Sequence, residues 1–131
     1  MVIVDTSVWV DLFRDAHTAE TDWITRSSAS RHLALVDVIL CEVLQGYGDN
    51  ATFQRVRAAL TSFEIFTSGG GAFALEAAKN YRTLRSRGRT IRGTIDGWIA
   101  TFCLMYDHQL LHSDRDFDHY EDLLGLRVIH P

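Results

Sequence analysis

Five short apolar runs punctuate the chain, at 2–4, 32–36, 63–66, 109–112 and 126–129. They are too short for helices and rich in Val, Ile, Leu and Phe, so they predict buried strands. Between them apolar positions recur at spacings of three and four, the helical period. Residues 7–14 carry Val8, Trp9, Leu12 and Phe13 in this pattern and predict a short amphipathic helix capped by Thr6 or Ser7. Further helices are predicted over 18–26, over 37–45 with Asp37 as its cap, and over 50–62. Two more follow, over 72–87, stopping at Gly88, and over 95–106, with Thr94 as a possible cap. The run 27–30, Ser-Ser-Ala-Ser, reads as a loop, and a short helix follows an acidic turn at 113–118. Gly69-Gly70-Gly71 lacks the Lys-Ser/Thr of a phosphate loop and reads as a flexible connection. Strands alternating with helices predict a parallel sheet covered on both faces, an α/β/α sandwich of about five strands. No repeat, low-complexity tract or linker divides the chain, so residues 1–131 are expected to form a single domain.

Composition adds constraints. With 47% hydrophobic and 23% charged residues the chain matches a soluble globular protein. Its apolar start lacks a basic flank and is interrupted by Asp5 and Asp11, unlike a signal peptide, and the longest uncharged apolar run is half a membrane span. A cytoplasmic protein without membrane contact is expected, with Cys41 and Cys103 reduced and too far apart in sequence for a zinc motif. The net charge is −4, yet 79–92 holds Lys79, Arg82, Arg85, Arg87, Arg89 and Arg92 and no acid. That run is either a solvated helix face, favourable near a helix C-terminus, or a phosphate-binding patch, with Arg82, Arg85 and Arg89 predicted on one face. The six histidines show no metal spacing and read as surface or satisfied structural groups.

Candidate chemistry lies in the acids. Val2-Ile3-Val4-Asp5-Thr6-Ser7 is a strand running straight into a helix, and in open α/β sheets strand C-termini form the ligand crevice. Asp114 repeats this arrangement after the run ending at His112, in a turn that also holds Asp116 and Asp118. Glu42 lies about 130° from the centre of its helix's apolar stripe, a solvated position. Val38 and Cys41 nevertheless flank it, so the helix is covered nearly all round and a carboxylate there calls for a partner. Asp96 stands just inside its helix, where the dipole alone is a sufficient reason for an acid; Ala100, one turn on, leaves space beside it. Carboxylates brought together repel unless a cation sits among them, and oxygen ligands select Mg²⁺ or Mn²⁺ over zinc. Ser7 and Ser113 have no neighbouring base in sequence and read as supporting hydroxyls.

Taken together, Val-Ile-Val-Asp-Thr-Ser at 2–7, the helical Glu42, Asp96 in Gly-Thr-Ile-Asp-Gly-Trp-Ile-Ala and Ser-Asp-Arg-Asp-Phe at 113–117 resemble the PIN-domain ribonucleases. Length and order are similar to the VapC toxins of toxin–antitoxin pairs. The resemblance implies a Mg²⁺-dependent endoribonuclease acting on RNA, a VapB-type antitoxin partner, a homodimer and strand order 3-2-1-4-5. It implies catalytic roles for Asp5, Glu42, Asp96, Asp114 and Asp116. On this reading Asp5, Asp96 and Asp114 hold the metal, and Glu42 and Asp116 orient or deprotonate water or complete a second metal position. Thr6, Ser7 and Ser113 match hydroxyls near the metal; Asp118 has no counterpart. Setting five carboxylates aside turns the net charge of −4 into +1, so RNA remains an acceptable partner, with Arg82, Arg85, Arg87, Arg89, Arg92 and Arg115 as candidate phosphate contacts. A non-catalytic RNA- or protein-binding module is the main alternative. Mg²⁺-dependent phosphotransfer or phosphatase domains fit less well: the only lysine, Lys79, is mid-helix, and Thr6 and Ser7 stand where such domains want an acid.

Overall fold

The structure, a computed structural model, describes residues 1–27 and 32–131. Most of the loop expected at 27–30 falls outside them; Ser27 ends a helix. Strand β1 (Val2–Val4) is buried throughout and leads into α1 (Thr6–Phe13). The cap of α1 is Asp5, not Thr6 or Ser7: Thr6 is already helical, and the Asp5 carboxylate accepts the Ser7 N–H. Trp9, buried on α1, donates its indole N–H to the Val4 carbonyl at 2.9 Å and locks the helix against the strand. After α2 (Ala19–Ser27), strand β2 (Leu33–Val36) pairs parallel to β1, placing Val2 opposite Leu33.

Helix α3 (Asp37–Gln45) starts from Val36 without a side-chain cap. Asp37 instead accepts Ser68 Oγ at 2.7 Å, and Ser68 Oγ in turn accepts the Trp98 indole N–H at 2.9 Å, tying three elements together. Next come α4 (Asn50–Leu60), capped by Asp49, and β3 (Glu64–Phe66), parallel to β2. Gly69 and Gly70, with φ of 115° and 91°, carry the turn into α5 (Gly71–Ser86), a conformation open to glycine. Helix α6 (Thr94–Tyr106) buries Ile99, Ala100, Phe102 and Cys103; Gly93, not Thr94, occupies its cap position. Truncating Ile99 to alanine would cost about 2–5 kcal/mol.

Strand β4 (Gln109–Leu111) pairs parallel with β1 and is followed by α7 (Asp116–Leu124). The sheet order is β3-β2-β1-β4, so β1 is internal, with β4 on one side. The fifth strand predicted at 126–129 is reduced to one parallel bridge, Leu110 to Val128. Only two backbone bonds support it, Leu110 N–H to Arg127 O and Ile129 N–H to Leu110 O, both 2.9 Å. Helices α1 to α4 pack as one group and α5 to α7 as another, flanking the sheet. Among the described residues no helix is long and apolar enough to cross a membrane.

Candidate functional site

The parallel register sets the site. Val4 stands opposite Leu111, and the Asp5 N–H continues the ladder to the Leu111 carbonyl at 2.9 Å, so the two strand-end turns emerge side by side. A hydroxyl clips them together: Ser7 Oγ donates to Asp5 Oδ2 at 2.6 Å and accepts the Ser113 N–H at 3.1 Å. Beyond Ser113, the Asp114 N–H donates to His112 Nδ1 at 3.1 Å, and Asp114 Oδ1 accepts the Asp116 N–H at 3.0 Å. These side-chain-to-backbone bonds hold the acidic turn in one shape. Glu42 comes from α3 and is held by Thr6 Oγ1, which donates to Oε1 at 2.8 Å. Its partner explains a half-buried carboxylate on that face, although Cys41 beside it is exposed. Asp96 enters from the first turn of α6 and Asp116 from the start of α7.

Glu42, Asp96, Asp114 and Asp116 line one cleft of about 480 Å³. Burial pushes Asp5 up to about 6, against the Ser7 hydrogen bonds that lower it, and Glu42 adds to the rise. Asp96 is pushed up to about 7 by burial, then by Asp5, Asp114, Asp116 and Glu42. A carboxylate at a helix N-terminus gains about 0.3–1 kcal/mol in its charged form, which would lower its pKa. Here desolvation and four like charges outweigh the dipole.

Carboxylates crowded this closely repel one another, and a cation among them relieves the repulsion. Asp96, Asp114 and Asp116 each offer an oxygen within 4.8 Å of the others. Asp5 Oδ1 is buried and has no hydrogen-bond partner among the described residues. An all-oxygen donor set with an orphaned carboxylate oxygen beside it fits a hard divalent ion.

Some of what the structure brings together went unseen in sequence. Arg92, expected as a phosphate contact, lies on the acids themselves: Nε is 3.4 Å from Asp116 Oδ1 and Nη2 3.8 Å from Asp114 Oδ1. Its backbone N–H also donates to Asp116 Oδ2 at 3.2 Å. Gly97, next to Asp96, is where α7 approaches α6, and a Cβ there would meet the Tyr120 hydroxyl at 2.5 Å. An acid followed by glycine inside an apolar helix is the one available sequence signal for that approach. The basic run separates in space. Arg82, Arg85 and Arg87 are exposed, whereas Arg89, beyond the end of α5, reaches His119 Nδ1 at 3.0 Å and Asp122 at 3.4 Å on α7. The expected common face of Arg82, Arg85 and Arg89 is therefore corrected. Nor are all histidines satisfied, since His108 Nδ1 and His112 Nε2 are buried without a partner among the described residues. Cys41 and Cys103 are both free, and burial pushes the Cys103 thiol up to about 12.

A parallel α/β/α fold with converging carboxylates at its strand C-termini defines the class, an acidic-site domain built to hold a divalent cation. A family model described as the PIN domain matches residues 2–123, and the chain belongs to that family. It is 28% identical to ribonuclease VapC11 of Mycobacterium tuberculosis over 120 residues, 90% of each chain. Among solved structures, the fold is similar to VapBC2 from Rickettsia felis, with a TM-score of 0.78, 14% identity and 98% of each chain covered. It is also similar to VapC20 of Mycobacterium tuberculosis, described as a sarcin-ricin loop cleaving toxin, with a TM-score of 0.69, 16% identity and full coverage of both chains. Family membership sets aside the phosphotransfer and phosphatase alternatives.

Proposed function

We propose that this chain is a Mg²⁺- or Mn²⁺-dependent endoribonuclease of the cytoplasm, the toxin of a toxin–antitoxin pair. The observation that carries the proposal is the convergence of Glu42, Asp96, Asp114 and Asp116 on one cleft, with Asp5 near enough to help raise the Asp96 pKa. Asp96, Asp114 and Asp116 would hold the ion, and the buried Oδ1 of Asp5 would offer a further oxygen. When bound, the ion neutralises charge developing on the phosphoryl oxygens. Glu42, anchored by Thr6 and open to the cleft, orients the attacking water and accepts its proton. Water attacks phosphorus in line, the P–O bond to the leaving nucleoside breaks, and that oxygen takes up a proton. Ser7 keeps Asp5 and the Ser113 turn in register, so the two strand ends move as a unit.

The relatives' names extend the reading to an antitoxin of the VapB type, and the family resemblance adds a homodimer to it. The deciding experiment is cleavage of structured RNA by wild type with Mg²⁺, by wild type with EDTA, and by Asp5→Asn and Asp96→Asn. The expectation is cleavage with Mg²⁺ alone, reduced at least on the order of 10²-fold in both variants. No metal-dependent cleavage on a broad RNA panel would leave the non-catalytic binding module as the better reading, and activity surviving both substitutions would place the chemistry elsewhere.

A further inference from the structure

A second cavity, of about 210 Å³, opens on the other side of the acidic turn and shares Asp114 with the cleft. Its walls include His112, Arg115 and Asp118 from the turn and α7, Glu20 from α2, and Val128 and Ile129 from the C-terminal tail. His112 carries the information. Its side chain is 7% exposed, and the Asp114 N–H points at Nδ1, so Nδ1 is the acceptor and the neutral ring carries its proton on Nε2. Nε2 is a buried donor without a partner among the described residues; the Asp118 carboxylate, 3.9 Å away, is beyond hydrogen-bond reach. A buried donor with nothing to donate to costs free energy, and a ligand acceptor would recover it.

We propose that this cavity is a guanine subsite for the RNA strand whose phosphate lies in the cleft, an inference that rests on the ribonuclease reading. Three carboxylates in the wall, Glu20, Asp114 and Asp118, repel a phosphate but suit the amino and imino edge of a base. Of the four bases, guanine alone presents two adjacent N–H donors, N1–H and N2–H, which a carboxylate takes as a pair, with the O6 acceptor next to them. Asp118 receives the two donors and His112 Nε2 donates to O6. Asp118 is more than half exposed, so its side chain can rotate to admit the base edge. Val128 and Ile129 give the ring an apolar wall. The exposed Arg115, with no ion pair to a carboxylate among the described residues, is left for the adjoining phosphate.

The test uses oligouridine strands carrying a single guanosine, inosine or adenosine, bound to the full chain in EDTA at low salt and read by fluorescence anisotropy. Wild type should prefer guanosine to adenosine on the order of tenfold, with inosine, which lacks the N2 amine, in between. Asp118→Asn, which touches no core contact, should bind all three within about twofold while melting at the wild-type temperature. Equal binding of the guanosine and adenosine strands by wild type, binding of none of them, or a guanosine preference kept in Asp118→Asn would overturn the subsite. The two readings separate cleanly. Guanosine preference in EDTA without cleavage of any RNA in Mg²⁺ upholds the subsite and sinks the nuclease. Cleavage without base preference in binding does the reverse.

Discussion

The acids and the cations of this protein behave in opposite ways. Glu42, Asp96, Asp114 and Asp116 come together on one cleft, with Asp5 near enough to help raise the Asp96 pKa, whereas six cations within 79–92 disperse. Strand ends and helix starts all face the same edge of a parallel sheet, so groups placed there converge whatever their separation in sequence. A run that spans a helix, its C-terminus and a loop points several ways, because each residue turns about 100° from the last and the loop changes direction. Arg82 and Arg85 face solvent, Arg89 holds α7 and Arg92 lies on the acids. Local charge density is a poor guide to an electrostatic site, and position relative to the sheet is a good one.

The most damaging way to break the convergence is through its spacer. Gly97→Ala puts a Cβ against the Tyr120 hydroxyl and wedges α7, with Asp116, away from α6, with Asp96. The expected cost is about 1–3 kcal/mol in urea unfolding, with weaker Mn²⁺ binding by calorimetry. Tyr120→Phe in the same background removes an unpartnered hydroxyl and should recover part of both losses. Additivity of the two substitutions would show that the contact does not set the spacing.

The crowding itself is read by pH. An unfolded aspartate titrates near 4, while folded Asp96 is pushed up to about 7 and Asp5 to about 6. Between those values the folded chain binds more protons than the unfolded one, so metal-free stability falls as pH rises from about 4 to about 7. Melting temperatures in EDTA should decline over that window, Mg²⁺ should flatten the decline, and Asp96→Asn should reduce it and stabilise the metal-free protein at pH 7. A melting temperature that rises with pH in EDTA would contradict the crowded-acid description.

The smallest effect tests the dispersal. Replacing Arg82 and Arg85 with Gln should weaken RNA binding and lower the slope of log affinity against log salt by about 0.7 for each phosphate that is no longer neutralised. Arg89→Gln should change that slope less, since its guanidinium already serves His119 and Asp122. An unchanged slope in the double variant would return both residues to a solvated face.

Much of the fold was legible. The strands β1 to β4 and the helices appeared near their predicted places because apolar period and turn chemistry are local properties. Errors fell at ends: the caps of α1 and α6, and a last strand that is a single bridge because apolar character alone does not say how many backbone bonds a tail will find. In the site, Asp5 and Asp114 were legible as strand-end acids, and Glu42 as an acid that calls for a partner, although its face is less covered than expected because Cys41 is exposed. From its own helix Asp96 read equally as a dipole acid or a site acid, and only the family resemblance placed it at the metal; its crowded surroundings push its pKa up, against the dipole.

By itself, then, the sequence determined which segments are strands and helices and which acids stand at their ends, since these follow from the order of neighbouring residues. Only the tertiary structure decided that Thr6 holds Glu42, that Arg92 sits on Asp114 and Asp116, and that Gly97 admits Tyr120. Each of these is a contact between distant positions, settled by how the helices pack on the sheet. The same packing turns Asp5, first legible as a lone strand-end carboxylate, into a buried acid with one orphaned oxygen at the floor of a shared site.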